Sequence, residues 1–283
     1  VQRLSISLVL LVILTAGCGS EAHPSSEPAS GSTSASGSAA IGRDPEKARQ
    51  VLSDAVAAIA AEDATAFRSV TSLNFRPIIV TEGVARPGAW VATTTFSEPG
   101  SDDEVMRALS TDGAVWMQMA DWPRDEAKCW RALSGTEVPL AVTALTPSEP
   151  AYIGVLGSIT ATGFGADPKG GALMARISLV DAMRLLPGEL LMKLEHDADA
   201  VAATDVEIVV GIQNGRLHDL NLRGAVVRKA FQDAGTTLPH AVRSALDLLS
   251  VAVTYSTEAE HTAIKRPQES LIVSAGDPHG CAG

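Results

Sequence analysis

Basic charge, aromatic rings and cysteine are all in short supply in this chain of 283 residues. Lysine and arginine together number 22, against 33 aspartates and glutamates, which leaves a formal net charge of −11. A chain of that balance has no cationic stripe with which to release the counterions of a nucleic acid, and no polybasic patch for an anionic membrane surface. Aromatic residues make up only 4%. Three cysteines, Cys18, Cys129 and Cys281, are too few for a disulfide-built scaffold.

Signatures of chemistry are missing too. The histidines, His23, His196, His218, His240, His261 and His279, have no partner among themselves at i+3 or i+4, so no zinc motif is present. His196, Asp197 and Asp199 lie close together, but their surroundings read as a solvated turn rather than a metal site. Gly157-Ser158 lacks the flanks of a nucleophile elbow, and Gly163-Phe164-Gly165 reads as a loop. Neither a P-loop nor a dinucleotide fingerprint occurs. The sequence therefore nominates no catalytic residue, no metal and no cofactor. A hydrolase on this chain would need a nucleophile and base that converge only in the fold.

What is present begins at the N-terminus. Residues 4–16 form an apolar run behind Arg3, too short for the roughly 20 residues of a bilayer span but of the right length for a signal peptide. The run ends in Leu14-Thr15-Ala16-Gly17-Cys18. This resembles the bacterial lipobox, and the resemblance implies removal of residues 1–17 and acylation of Cys18 with a diacylglyceryl, palmitate-type anchor. The alternative is a plain secreted protein with an incidental cysteine. Residues 18–43 are rich in Ser, Gly, Ala and Pro and read as a flexible tether, with an average reach of roughly 25–30 Å. The expected location is the outer face of the bacterial plasma membrane.

With 46% hydrophobic residues, the remainder has material for a core. Asp44-Pro45-Glu46 opens an amphipathic helix that should end near Asp63. Strand-like runs follow at 67–75, 77–83, 90–96, 105–110, 114–119 and 129–133, with Thr111-Asp112-Gly113 as a hairpin turn. A helical interlude spans 150–160, a strand 172–179, and short helices 180–186 and 189–195. Strands at 206–212 and 217–223 flank Asn214-Gly215, with His218, Leu220 and Leu222 expected on one face. Helices at 225–233 and 239–249, strands at 251–256 and 262–265, and a helical turn at 267–272 complete the chain. The order is that of an α+β fold with an antiparallel sheet, carried by one domain at 44–274 and followed by a tail at 275–283.

Several phrases resemble the actinobacterial lipoproteins of the LppX/LprAFG family, whose fold is like the periplasmic carrier LolA. They are Thr111-Asp112-Gly113-Ala114-Val115-Trp116, Asp205-Val206-Glu207-Ile208-Val209-Val210, Asn214-Gly215-Arg216-Leu217 with Leu220-Asn221-Leu222, Val251-Ala252-Val253-Thr254-Tyr255-Ser256, and Ile264-Lys265-Arg266-Pro267. The resemblance implies a strongly curved antiparallel sheet, like half a barrel, with helices covering its concave side around an apolar cavity. It also implies binding or carriage of a lipid or acylated glycolipid. This chain departs from the family in a longer helical segment at 225–250 and in carrying Cys129 and Cys281.

On that reading the cavity is lined by Val115, Met117 and Met119 of one strand, by Ile177 and Leu179, and by Met183, Leu186 and Leu190 of a lid. Ile208, Val210, Leu220 and Leu222 complete the lining. Flexible methionines suit a pocket for varied acyl chains. The same residues would equally make a solid core by packing on one another. Cys129 and Cys281 remain after Cys18 is acylated, and in an oxidising compartment they invite a disulfide, with two free thiols as the alternative. The rival to lipid carriage is an envelope sensor of the same fold that docks a protein partner and holds no cargo.

Overall fold

The computed structural model describes residues 44–98, 100–119, 129–133, 150–165, 171–195, 201, 203–256 and 263–273. The expected signal peptide, Cys18, the tether, the C-terminal tail, Cys281 and the turn at His196 lie outside them.

Helix α1 (Pro45–Ala60) starts as its sequence directs. The Asp44 carboxylate accepts from the amides of Glu46 and Lys47 at 3.1 Å, and Pro45 occupies the first turn, where no amide hydrogen is needed. Ala48, Leu52, Ala55 and Ile59 form its buried stripe. Six strands follow: β1 (Thr65–Leu73), β2 (Arg76–Arg86), β3 (Ala89–Phe96), β4 (Glu104–Thr111), β5 (Ala114–Met119) and β6 (Trp130–Leu133). Then come α2 (Ala151–Gly154) with a 3-10 turn at Val155–Ser158, β7 (Thr160–Phe164), β8 (Ala172–Ser178), α3 (Leu179–Arg184) and α4 (Gly188–Glu195). The chain closes with β9 (Asp205–Gln213), β10 (Arg216–Arg223), α5 (Gly224–Asp233), α6 (His240–Leu248), β11 (Leu249–Ser256) and β12 (Ile272–Val273).

All twelve strands join one curved, unclosed sheet in the order β12-β6-β5-β4-β3-β2-β1-β11-β10-β9-β8-β7. Its middle is the antiparallel pair β1–β11, in register from Ala66–Ser256 to Leu73–Leu249. Burial alternates along the strands, so one face is dry and the other wet. The wet convex face carries cross-strand ion pairs such as Arg68–Glu82 at 2.7 Å, exposed enough to contribute little. The dry concave face meets the helices. Among the described residues, helix packing concentrates on β1 and β7–β11: α1 on β7 and β10, α3 on β8 and β9, α5 and α6 on β9–β11 and β1.

Turn chemistry sets the hairpins. Asp112-Gly113 and Asn214-Gly215 both take positive φ at each position, as a two-residue turn matched to strand twist requires. The β1–β2 turn does the same with Asn74 and Phe75, at φ 49° and 64°.

The structure corrects the sequence reading in three places. Gly163-Phe164 belongs to strand β7 rather than to a loop, because β7 borrows its regularity from pairing with β8 and bulges between Ala161 and Gly163. Residues 263–265 form no strand; the chain instead reaches β12, which pairs parallel with β6, so the sheet is not wholly antiparallel. A second bulge, between Leu217 and Asp219, buries Leu217 and turns His218 out to solvent, away from Leu220 and Leu222.

Gly83 on β2 faces Phe67 of β1 directly. A Cβ there would lie 2.5 Å from the Val91 carbonyl oxygen and 2.6 Å from the Phe67 ring. Gly83→Ala is therefore expected to cost about 1–3 kcal/mol through overpacking. Urea unfolding checks this as a lowered midpoint at unchanged slope, and Phe67→Leu in the same chain should return part of the loss.

Candidate functional site

The concave face divides at the β1–β11 seam into two halves of different chemistry. From β11 outward to β7 the inward positions hold large aliphatics: Val251 and Val253, Leu220 and Leu222, Ile208 and Val210, Leu173 and Ile177. Helices press on them with Leu179, Met183, Leu186, Leu190 and Phe231, all buried. Nine of the expected lining residues fall here: Ile177, Leu179, Met183, Leu186, Leu190, Ile208, Val210, Leu220 and Leu222. They sit in one contiguous cluster of buried side chains, which also takes in Trp90, Ala92, Met106, Ala108, Val115 and Met117 of the other half.

From β1 outward to β5 the inward positions are small or hydroxylic. Ser69 and Thr71 of β1 lie beside Thr81, Gly83 and Ala85 of β2. Next come Ala92 and Thr94 of β3, then Ala108 and Ser110 of β4. Thr65, Ser69, Thr71, Thr81, Thr94 and Ser110, all on this half, make up the buried polar residues among those described. Larger groups stand among them at intervals: Trp90, Met106, Val115 and Met117. Val115 and Met117 thus belong to a different half from the other expected lining residues. Met119 pairs with Met106 on the same inward side of the strand, but its side chain is outside the described set.

Two tyrosines mark the divide. The Tyr255 hydroxyl donates to the Tyr152 carbonyl at 2.7 Å, tying α2 to β11. The Tyr152 ring packs on Phe67 with 5.5 Å between centroids. Burial pushes the Tyr152 phenol above its ordinary value, against the opposing pull of the Ser69 and Thr81 hydroxyls beside it. The Tyr255 phenol is raised as well, first by burial, then by the proximity of Tyr152 and Asp219. Thr81 and Thr94 share a hydrogen bond of 3.0 Å, whereas the buried Ser69 Oγ meets no partner at good geometry.

Other features stand apart. An open cleft of about 250 Å³ lies where α1 ends against the β9–β10 turn, lined by Ile59, Thr65, Leu217, His218 and Tyr255 among others, with Arg216 and Glu62 paired at 2.8 Å on its edge. It holds none of the expected lining residues. On the convex side Trp116 is covered by Arg266, whose guanidinium carbon lies 5.8 Å from the ring centroid. Cys129 is fully buried just before β6. Among the described residues no helix is long and apolar enough to cross a membrane.

The signal for the second half was in the sequence as a lack of bulk. Ala92, Thr94 and Ala108 are small inward positions, and all three are buried.

The class these features define is a large open sheet with one helix-packed half and one half of small, hydroxylic side chains. No family model and no curated protein matches the chain. Among solved structures it is similar to LprF from Mycobacterium bovis, at 13% identity and a TM-score of 0.43, over 80% of this chain and 99% of that one. It is also similar to the Mycobacterium tuberculosis lipoprotein LppX, at 13% identity and a TM-score of 0.40, over 78% of this chain and 100% of that one. Both are mycobacterial lipoproteins of the LppX/LprAFG family, the family that the sequence phrases resemble.

The tyrosines generate a pH prediction. A phenol whose folded pKa lies above its unfolded value of 10.0 keeps its proton in the native state while the unfolded chain loses it. Its stabilising contribution is then full below pH 10 and is lost as the pH rises beyond it. Alkaline unfolding is expected to set in above pH 10, and Tyr255→Phe should remove about one proton from its pH slope. Denaturant titrations from pH 8 to 11.5, roughly the span over which the phenols titrate, measure that slope.

Proposed function

We propose that the protein is a lipid-anchored carrier on the outer face of the bacterial plasma membrane, holding an acylated lipid or glycolipid on the β1–β5 half of the concave face. The observation that carries this reading is the run of small and hydroxylic residues from Ser69 to Ser110 on the inward side of β1–β4. Small side chains leave volume, and Val115, Met117 and Met106 supply an adaptable apolar wall for a chain. Ser69, Thr81 and Thr94 offer hydroxyls to an ester or sugar oxygen. Ile177, Ile208, Leu220 and their neighbours then serve as the rigid back of the site. An acyl chain entering it gains about 25 cal/mol per Å² of apolar surface removed from water.

Carriage rather than catalysis fits the ionisable groups on this face. The Tyr152 and Tyr255 phenols are held protonated by burial, which makes them poor bases at neutral pH. Residues 18–43 then leash the folded body to the membrane. A bond between Cys129 and Cys281 would fasten the C-terminal tail to the base of β6.

Native mass spectrometry of the protein from its own envelope is expected to show an added mass that fragments to fatty acyl ions. Ala108→Phe, in the middle of the small-residue half, should abolish that mass while circular dichroism stays native. A site empty in every preparation overturns the reading. The same samples are expected to begin at a diacylglyceryl-modified Cys18 and, after alkylation without reductant, to carry no label on Cys129 or Cys281; labelled thiols would refute the disulfide.

A further inference from the structure

The β1–β2 turn spends conformational energy and receives nothing for it inside the molecule. Its second position has φ 64°, where the equivalent positions of the β4–β5 and β9–β10 turns are Gly113 and Gly215. Here the residue is Phe75, a bulky side chain that the left-handed region disfavours. Its ring is 94% exposed, so no packing within the chain offsets the strain. Beside it, the Asn74 amide donates to the Leu248 carbonyl at 2.8 Å, which brings the end of α6 to the turn, and Leu248 is itself 47% exposed. Pro77 is exposed on the other flank.

We infer that Phe75 and Leu248 form a wedge that inserts into the interfacial layer of a lipid bilayer. The shape argues for lipid over protein. A Phe offers at most about 150–250 Å² and Leu248 somewhat less, well short of the roughly 800 Å² per partner of a stable protein interface. A convex two-residue turn presents no groove, but it fits the space between lipid headgroups. Charge argues for insertion over electrostatic docking. Arg76 follows Phe75, yet Asp102, Asp103 and Glu104 are exposed at the same end of the sheet, where Glu104 pairs with Phe96 and Phe96 with Ile79. The tip is thus not cationic, and a zwitterionic surface suffices. The inference rests on the anchored reading above only for its bilayer being close at hand. With the tip seated, the end of the concave face bearing Leu73, Ile79 and Phe96 lies at the membrane surface.

The test uses the full chain with Phe75→Trp, the wild type serving as fluorescence background, added to phosphatidylcholine vesicles carrying brominated acyl chains. Emission from position 75 is expected to shift to the blue and to be quenched, more by bromine near the headgroup than at the chain end, and to stay so from low to high salt. Emission unmoved by vesicles overturns the wedge. So does a shift that grows with protein concentration in the absence of lipid, which would seat a second copy on the tip. A response that needs phosphatidylglycerol and vanishes in salt overturns it as well. Phe75→Gly is the folding control: it should hold or raise thermal stability while reducing vesicle co-sedimentation of the unacylated Cys18→Ser chain. An absent acyl cargo in mass spectrometry would leave this result standing, and an unshifted position 75 would leave the cargo reading standing.

Discussion

The antiparallel pairing of β1 with β11 is the interaction on which the rest of the structure depends. It joins β12 through β1 on one side to β11 through β7 on the other, along eight residue pairs from Ala66–Ser256 to Leu73–Leu249. Without it there would be two separate sheets, of seven and five strands. The pairing also gathers the groups that span both halves: Phe67 opposite Tyr255, Tyr152 laid over both, and the end of α1 against Thr65 and Leu217. Its partners lie far apart in sequence, whereas the β4–β5 and β9–β10 hairpins close locally. The loop entropy of bringing Ala66 to Ser256 makes the seam slow to form, and late relative to those hairpins.

The two halves of the inward face differ in side-chain size. On the β7–β11 side the helices supply Phe231, Met183 and Leu186 to buried aliphatic strand positions. On the β1–β5 side the strands supply mostly small and hydroxylic residues, buried as well. Two buried tyrosines whose hydroxyls stay protonated stand between them.

The hairpins were legible because turn chemistry is local. Asp112-Gly113 and Asn214-Gly215 dictate their own backbone, and β5 occupies the residues that its alternation marks. Strand β7 was not legible, since Thr160–Phe164 is short, contains a glycine and owes its shape to β8. Nor was the bulge at Leu217, because two-residue periodicity cannot announce an inserted residue. The candidate site was less legible, because burial does not tell a packed wall from a lining: Leu220 and Ile208 share one buried cluster with Ala92 and Ala108. Bulk is withheld at Ala92, Thr94 and Ala108, and at Phe75 it stands in place of a glycine.

The C-terminal segment that lays Arg266 over Trp116 and then adds Ile272–Val273 beside β6 has a further consequence. An open sheet has two raw margins, each a template on which a neighbouring molecule can continue the hydrogen-bond ladder. One margin here ends in a strand of two residues, and the other, β7, lies under α1. Copies at high concentration can therefore stay separate: the chain's own Ile272–Val273 takes the place at the margin that a neighbour's strand would otherwise claim.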